Sequence, residues 1–250
     1  MTNKTISTLL IALAGILLFS CGNPVKLLEK GRFDEAVYLS VKKLSGKKKK
    51  KVKYVQTLEN AFSRATYADM RSIETLKKEE RAENWVKINE IHRRIQLRQE
   101  AIEPLLPLVA ENGVKANFHF VKIEDLEIES KKKAAEYYYL EGKRKLALAE
   151  NGDKTAAREA YNEFENIGRY YKDYRDERIL MDKAIALGTV YVLFKMENHS
   201  DAILPGDFER ELKKMSVAEL DKTWRTIHLN AEAGLDYDFT VTMRLREIDS

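Results

Sequence analysis

Gly188-Thr189-Val190-Tyr191-Val192-Leu193-Phe194 is where this chain of 250 residues changes its period. Val190, Val192 and Phe194 share one face of an extended segment, and β-branched and aromatic residues dominate it, as in a buried strand. Downstream, residues 223–229 read as a second strand. Residues 238–246 alternate Phe239, Val241, Met243 and Leu245 with Thr240, Thr242 and Arg244. Between the strands, Asp207 is placed to cap a short helix over 207–214, and Ser216-Val217-Ala218-Glu219 is a capping box. Upstream of Gly188 the apolar spacing is helical almost throughout. The expected fold is mainly α, with a smaller C-terminal α+β, β-containing module over 188–250. A strand so near Ser250 reads as a sheet edge, or as the end of a piece cut from a longer chain.

Working back toward the N-terminus, residues 24–30 make a short helical stub. Val52, Val55, Leu58, Phe62 and Ala65 recur at spacings of three and four; Met70, Ile73 and Leu76 continue after a slip. That predicts an amphipathic helix over 52–79, broken near Asp69. Trp85, Ile88, Ile91, Ile95 and Ile102 predict an antiparallel neighbour that ends around Pro104 and Pro107. Val114, Ala116, Phe118, Phe120 and Ile123 alternate with polar residues, as a half-buried strand would. Helix resumes over 131–150, with Ala135, Tyr138, Gly142, Leu146 and Ala149 on one face. Asn151-Gly152-Asp153 makes a turn, and 178–187 is the last helix.

Two stretches resemble the tetratricopeptide repeat. One is Gly31-Arg32-Phe33-Asp34-Glu35-Ala36-Val37; the other is Gly152, Ala157 and Tyr161, followed by Phe164, at the spacing of that repeat's second helix. Ser40 stands where the repeat carries a large aromatic, and Glu141, Arg144 and Lys145 fall where it is apolar or small. The separation of Gly31 from Gly152 is no multiple of the repeat period. The resemblance implies degenerate helical hairpins over 21–187, with a shallow partner-binding surface, rather than a regular solenoid.

Residues 1–20 read as a processing signal. Lys4 gives a positive start, Leu9 to Phe19 is an apolar run, and Leu18-Phe19-Ser20-Cys21 follows at once. As a helix such a run rises about 16 Å, roughly half of a hydrocarbon core. The segment resembles the signal peptide and lipobox of bacterial lipoproteins of the Bacteroidetes type, although Phe19 is larger than the residue usual at its position. The resemblance implies a covalent lipid (palmitate among its acyl chains) on Cys21, no other cofactor, and attachment to a membrane through that lipid. Gly22 follows the cysteine where an inner-membrane retention signal has Asp, and 22–26 holds no acidic cluster. The implied location is the periplasmic face of the outer membrane.

Charge is unevenly spread. Lys+Arg total 44 against 40 Asp+Glu, for a net +4. Lys42, Lys43, Lys47, Lys48, Lys49, Lys50, Lys51 and Lys53 sit together without one acid, so the rest of the chain is net acidic. Lys47 to Lys51 form a candidate electrostatic patch toward anionic headgroups or an acidic partner; a solvated loop after Ser45-Gly46 is the plainer alternative. Tyr138, Tyr161, Tyr171 and Tyr174 lie in a tyrosine-rich stretch with Tyr137, Tyr139 and Tyr170. They form a candidate binding surface for sugars or peptides, and equally suit helix crossings.

Chemistry is sparse. The single cysteine excludes an intramolecular disulfide, and His92, His119, His199 and His228 are too scattered for a Cys/His metal set. There is no nucleophile elbow, zincin motif, phosphate loop or dinucleotide fingerprint. A glycosidase's two distant carboxylates would leave no such signature. The lysine run lacks interleaved aromatics, so nucleic acid is not an expected partner. These readings combine into a lipid-anchored scaffold or adaptor for another envelope protein, with no catalytic residue assigned. A glycan- or peptide-binding lipoprotein is the rival, and an enzyme the remaining class.

Overall fold

The computed structural model describes residues 22–200, 203, 205–207, 210, 211 and 223–247. The signal segment, Cys21, the capping box at 216–219 and most of the helix expected over 207–214 lie outside the described residues. The chain is mainly helical, with one small sheet toward its C-terminus. Two compact units, Met1–Ala134 and Ala135–Ser250, divide inside one helix. No helix among the described residues is long and apolar enough to cross a membrane.

The first unit is built from α1 (Pro24–Glu29), α2 (Phe33–Leu44), α3 (Val52–Lys78), α4 (Asn84–Ile102) and the start of α5 (Glu124–Ala149). Asn23 caps α1 by accepting from Val25 N, and Pro24 stands in the first turn, where its missing N–H is harmless. Gly31 takes a φ of +73°, which lets α2 turn back on α1. Ala36, Val37, Leu44, Leu58, Phe62 and Ile102 close one core. Ile73, Ile88, Ile91, Ile95 and Ile123 close another.

Three expectations need correction here. α3 runs through Asp69 without a break, because the slip in its apolar stripe is a buried carboxylate that meets α4. Residues 114–123 are extended but form no strand; their one ladder contact is an isolated bridge between Val109 and Lys115. The alternation exists because Ala116 and Phe118 pack on Phe62. The Gln99 side-chain amide bonds both N and O of Val121, at 2.7 and 3.1 Å, in place of a neighbouring strand. Helix then resumes at Glu124 rather than 131.

The second unit holds the rest of α5, α6 (Lys154–Ile167), α7 (Glu177–Gly188) and three strands: β1 (Val190–Asn198), β2 (Arg225–His228) and β3 (Phe239–Leu245). Asp153 caps α6 by accepting from Thr155 N and Ala156 N at 2.9 Å. Ala135, Leu146, Ala160, Phe164, Ile167 and Ala184 form the core. The sheet is parallel throughout, in the order β2-β1-β3. Each of the three strands overlaps a segment the sequence marked as extended, and β1 runs on past Phe194 to Asn198. They share a unit with α6 and α7, so the division by contact lies upstream of the change of period at Gly188.

Candidate functional site

One face of the sheet carries the site. Register places Val192 beside both Ile227 and Phe239, and Phe194 beside Val241, so these side chains project together. Val192 and Phe194 are buried, whereas Phe239 and Val241 on the edge strand are 62% and 48% exposed. The alternation of β3 thus marks an apolar face that stays open to solvent. Over it lies a groove of about 720 Å³, bounded by Val192, Ile227, Phe239, Val241, Trp224 and Arg158.

Helix α6 and the end of α7 supply the wall. Gly188 carries no side chain because a Cβ there would meet the Trp224 ring at 2.9 Å and Ala157 Cβ at 3.2 Å. The Trp224 indole lies edge-on to Tyr161 at 5.4 Å, with the Arg158 guanidinium 5.7 Å from its centre. Arg158 donates twice to Gly188 O, at 3.1 and 3.2 Å. Among the described residues its contacts are therefore a carbonyl and an aromatic face rather than a carboxylate, which leaves its charge to act on the groove. Alongside, Lys154 pairs with Asp238 at 3.0 Å, and Asp238 accepts from Tyr191 N at 2.8 Å. Burial works to raise the Asp238 carboxyl, but the Tyr191 amide and Lys154 outweigh it and hold it below the usual carboxylate range.

The four candidate tyrosines do not form one surface. Tyr161 belongs to the wall just described. Tyr138, Tyr171 and Tyr174 pack between α5 and the segment before α7, where Tyr138 lies 6.0 Å from Tyr170 and Tyr174 lies 5.6 Å from Tyr171. All four are half-buried. Tyr174 donates to the Glu136 carboxylate at 2.8 Å and Tyr139 to Asp176 at 2.8 Å. Arg175 pairs with Glu136 at 2.6 Å and covers Tyr139 at 4.7 Å. Burial first, and then the bond to Glu136, push the Tyr174 hydroxyl up to about 12. These rings are largely spent on packing.

Of the lysine patch, Lys47, Lys48, Lys49 and Lys51 are exposed in the loop between α2 and α3, while Lys50 turns inward and donates to Leu44 O. Elsewhere in the first unit, His92 Nδ1 meets Ser130 Oγ at 2.9 Å, and Asn89 donates to the same oxygen at 3.0 Å. Ser130 commits its own proton to Glu127 O, so the His92 proton sits on Nδ1. Both residues are sealed from solvent, which suits packing rather than nucleophilic attack. Among the described residues no group of His, Cys, Asp and Glu is placed to hold a metal ion.

Sequence reasoning named Tyr161 and the alternation of β3 but not Arg158 or Trp224. The available signal was weak: a tryptophan inside the strand predicted over 223–229, and an arginine one turn before Tyr161 on α6. No protein-family model matches this chain, and no curated protein or solved structure is significantly similar to it.

Proposed function

We propose that this chain is a lipid-anchored adaptor of the bacterial envelope. In this reading Cys21 carries the lipid at the periplasmic face of the outer membrane, and the open face of the C-terminal sheet takes an apolar segment of a partner protein. The observation that carries it is the exposed pair Phe239 and Val241 beside the Arg158 charge. An exposed aromatic next to an arginine is in keeping with the composition of an interface core. The groove is apolar along the strands and cationic at one end, so the segment it fits is apolar with a carboxylate at that end.

A photo-crosslinking residue at position 239, introduced in growing cells, tests this. The expected result is one envelope-protein adduct that is absent with the same residue at the exposed Tyr67 and weakened by Arg158→Gln. Adducts equal at both positions, or insensitive to Arg158, would overturn the reading.

A further inference from the structure

We infer that the lysine loop between α2 and α3 is an electrostatic foot that rests on an anionic phospholipid leaflet. The inference builds on the anchored reading above, because it asks where the first residue after Cys21 lies. Gly22 sits against α2: a Cβ there would meet Leu39 Cδ2 at 2.8 Å. α1 and α2 are joined by a tight turn at Gly31, with Arg32 N donating to Leu27 O. Following α1 back toward Gly22 therefore runs in the same direction as α2 does toward its C-terminus. From Leu39 to Leu44 the helix rises only about 7.5 Å. Gly22, the first described residue, thus lies toward the end of α2 where the lysines begin.

The local charges reinforce one another. The last turn of α2 carries Lys42 and Lys43, and the first turn of α3 holds no acid. Lys50 ties its ammonium to Leu44 O at 2.6 Å, which pins the far end of the loop back to its start. Lys47, Lys48, Lys49 and Lys51 remain exposed around it. The element packed against the loop is the 110–116 turn, through Glu111 N donating to Lys50 O at 2.8 Å; it brings Glu111 and Lys115, whose charges cancel. Headgroup attraction acts over about 10 Å at ordinary ionic strength, so closeness to the anchor decides whether such lysines are felt.

The test compares the full chain with a variant in which Lys47, Lys48, Lys49 and Lys51 are all Gln, and with a second in which they are all Arg. The probes are vesicles of phosphatidylcholine, and of phosphatidylcholine with about a third phosphatidylglycerol. All three proteins share the same N-terminal segment, so they should bind the zwitterionic vesicles alike. On the anionic vesicles wild type and the Arg variant should bind at least tenfold tighter than the Gln variant, with the difference shrinking as salt rises. Equal binding by wild type and the Gln variant would overturn the inference. Acylation is read separately, by palmitate labelling of wild type against Cys21→Ser. An unlabelled Cys21 removes the anchored reading, whatever the vesicles report.

Discussion

Asp69 and Arg98 occupy stripe positions on facing helices, where the spacing calls for apolar side chains. Asp69 lies four residues from both Ala65 and Ile73; Arg98 lies three from Ile95 and four from Ile102. The Arg98 side chain is fully buried, bonded to Asp69 at 2.7 Å, to Asp34 at 2.8 Å and to Thr66 at 3.3 Å. Arg94 makes a second pair with Asp69. One guanidinium thus joins α2, α3 and α4. Arg98→Met removes the charge but leaves Asp69 buried, and should cost about 3 kcal/mol in urea denaturation. Adding Asp69→Leu should restore part of that loss, because the buried carboxylate that Arg94 alone would still partner goes with it. A double variant as unstable as the single one would show that the network contributes more than mutual neutralisation. The two interruptions were visible as a slip and a gap in the stripes. Their pairing was not, since neither helix alone reveals which of its faces meets the other.

At the scale of elements, the crossing of α5 and α6 depends on an absence. Gly142 lies on α5 opposite the Phe164 ring, and a Cβ there would come within 2.6 to 2.8 Å of three ring atoms. Phe164 is fully buried and has no open side to move into. Gly142→Ala would gain roughly 1 kcal/mol of helix propensity yet force overpacking that costs about 1–3 kcal/mol. A net loss in thermal stability is therefore expected, and Phe164→Leu in the same background should recover it. Stabilisation by Gly142→Ala alone would mean the helices separate at little cost. Elements were legible in proportion to how far neighbours impose a period. The helices and the three strands of the sheet have long partners and showed their spacing plainly. Residues 114–123 showed a strand's alternation without a strand's partner, because Phe62 and Gln99 stand in for one. The open face of β3 went unread for a related reason: alternation reports which side chains project together and is silent on what covers them. The groove was half-legible in consequence, through Phe239 and Val241 but not through Trp224 or Arg158, which come from elsewhere in the chain.

Across the whole molecule, two perturbed groups, His92 in the first unit and Tyr174 in the second, act on opposite sides of neutrality. In the first unit, burial and then the Lys77 ammonium hold His92 below the usual imidazole range, and its Nε2 has no hydrogen-bond partner. Below about pH 6.5 the unfolded chain takes up a proton at this residue that the folded chain refuses. Stability conferred by the neutral imidazole is thus present above that pH and lost as pH falls toward the folded value. For the Tyr174 phenol the sign reverses. Tyr174, raised from 10.0 to about 12, keeps its proton in the folded state while the unfolded phenol loses its own. Its contribution is complete below pH 10 and disappears between pH 10 and about 12. Trp85 and Trp224 are the chain's two tryptophans, one in each unit, so Trp→Phe at either leaves a single fluorescent reporter. With Trp85 reporting, the urea midpoint should fall as pH drops below about 6.5 and should flatten in His92→Asn. With Trp224 reporting, the midpoint should fall from pH 10 upward, less steeply in Tyr174→Phe; Tyr139, also raised by burial and by Asp176, keeps part of the slope. Should His92→Asn leave the acid slope of Trp85 unchanged, the buried imidazole is not what the proton opposes. An alkaline slope of Trp224 unmoved by Tyr174→Phe would likewise exclude the bond to Glu136 as the group that holds its proton.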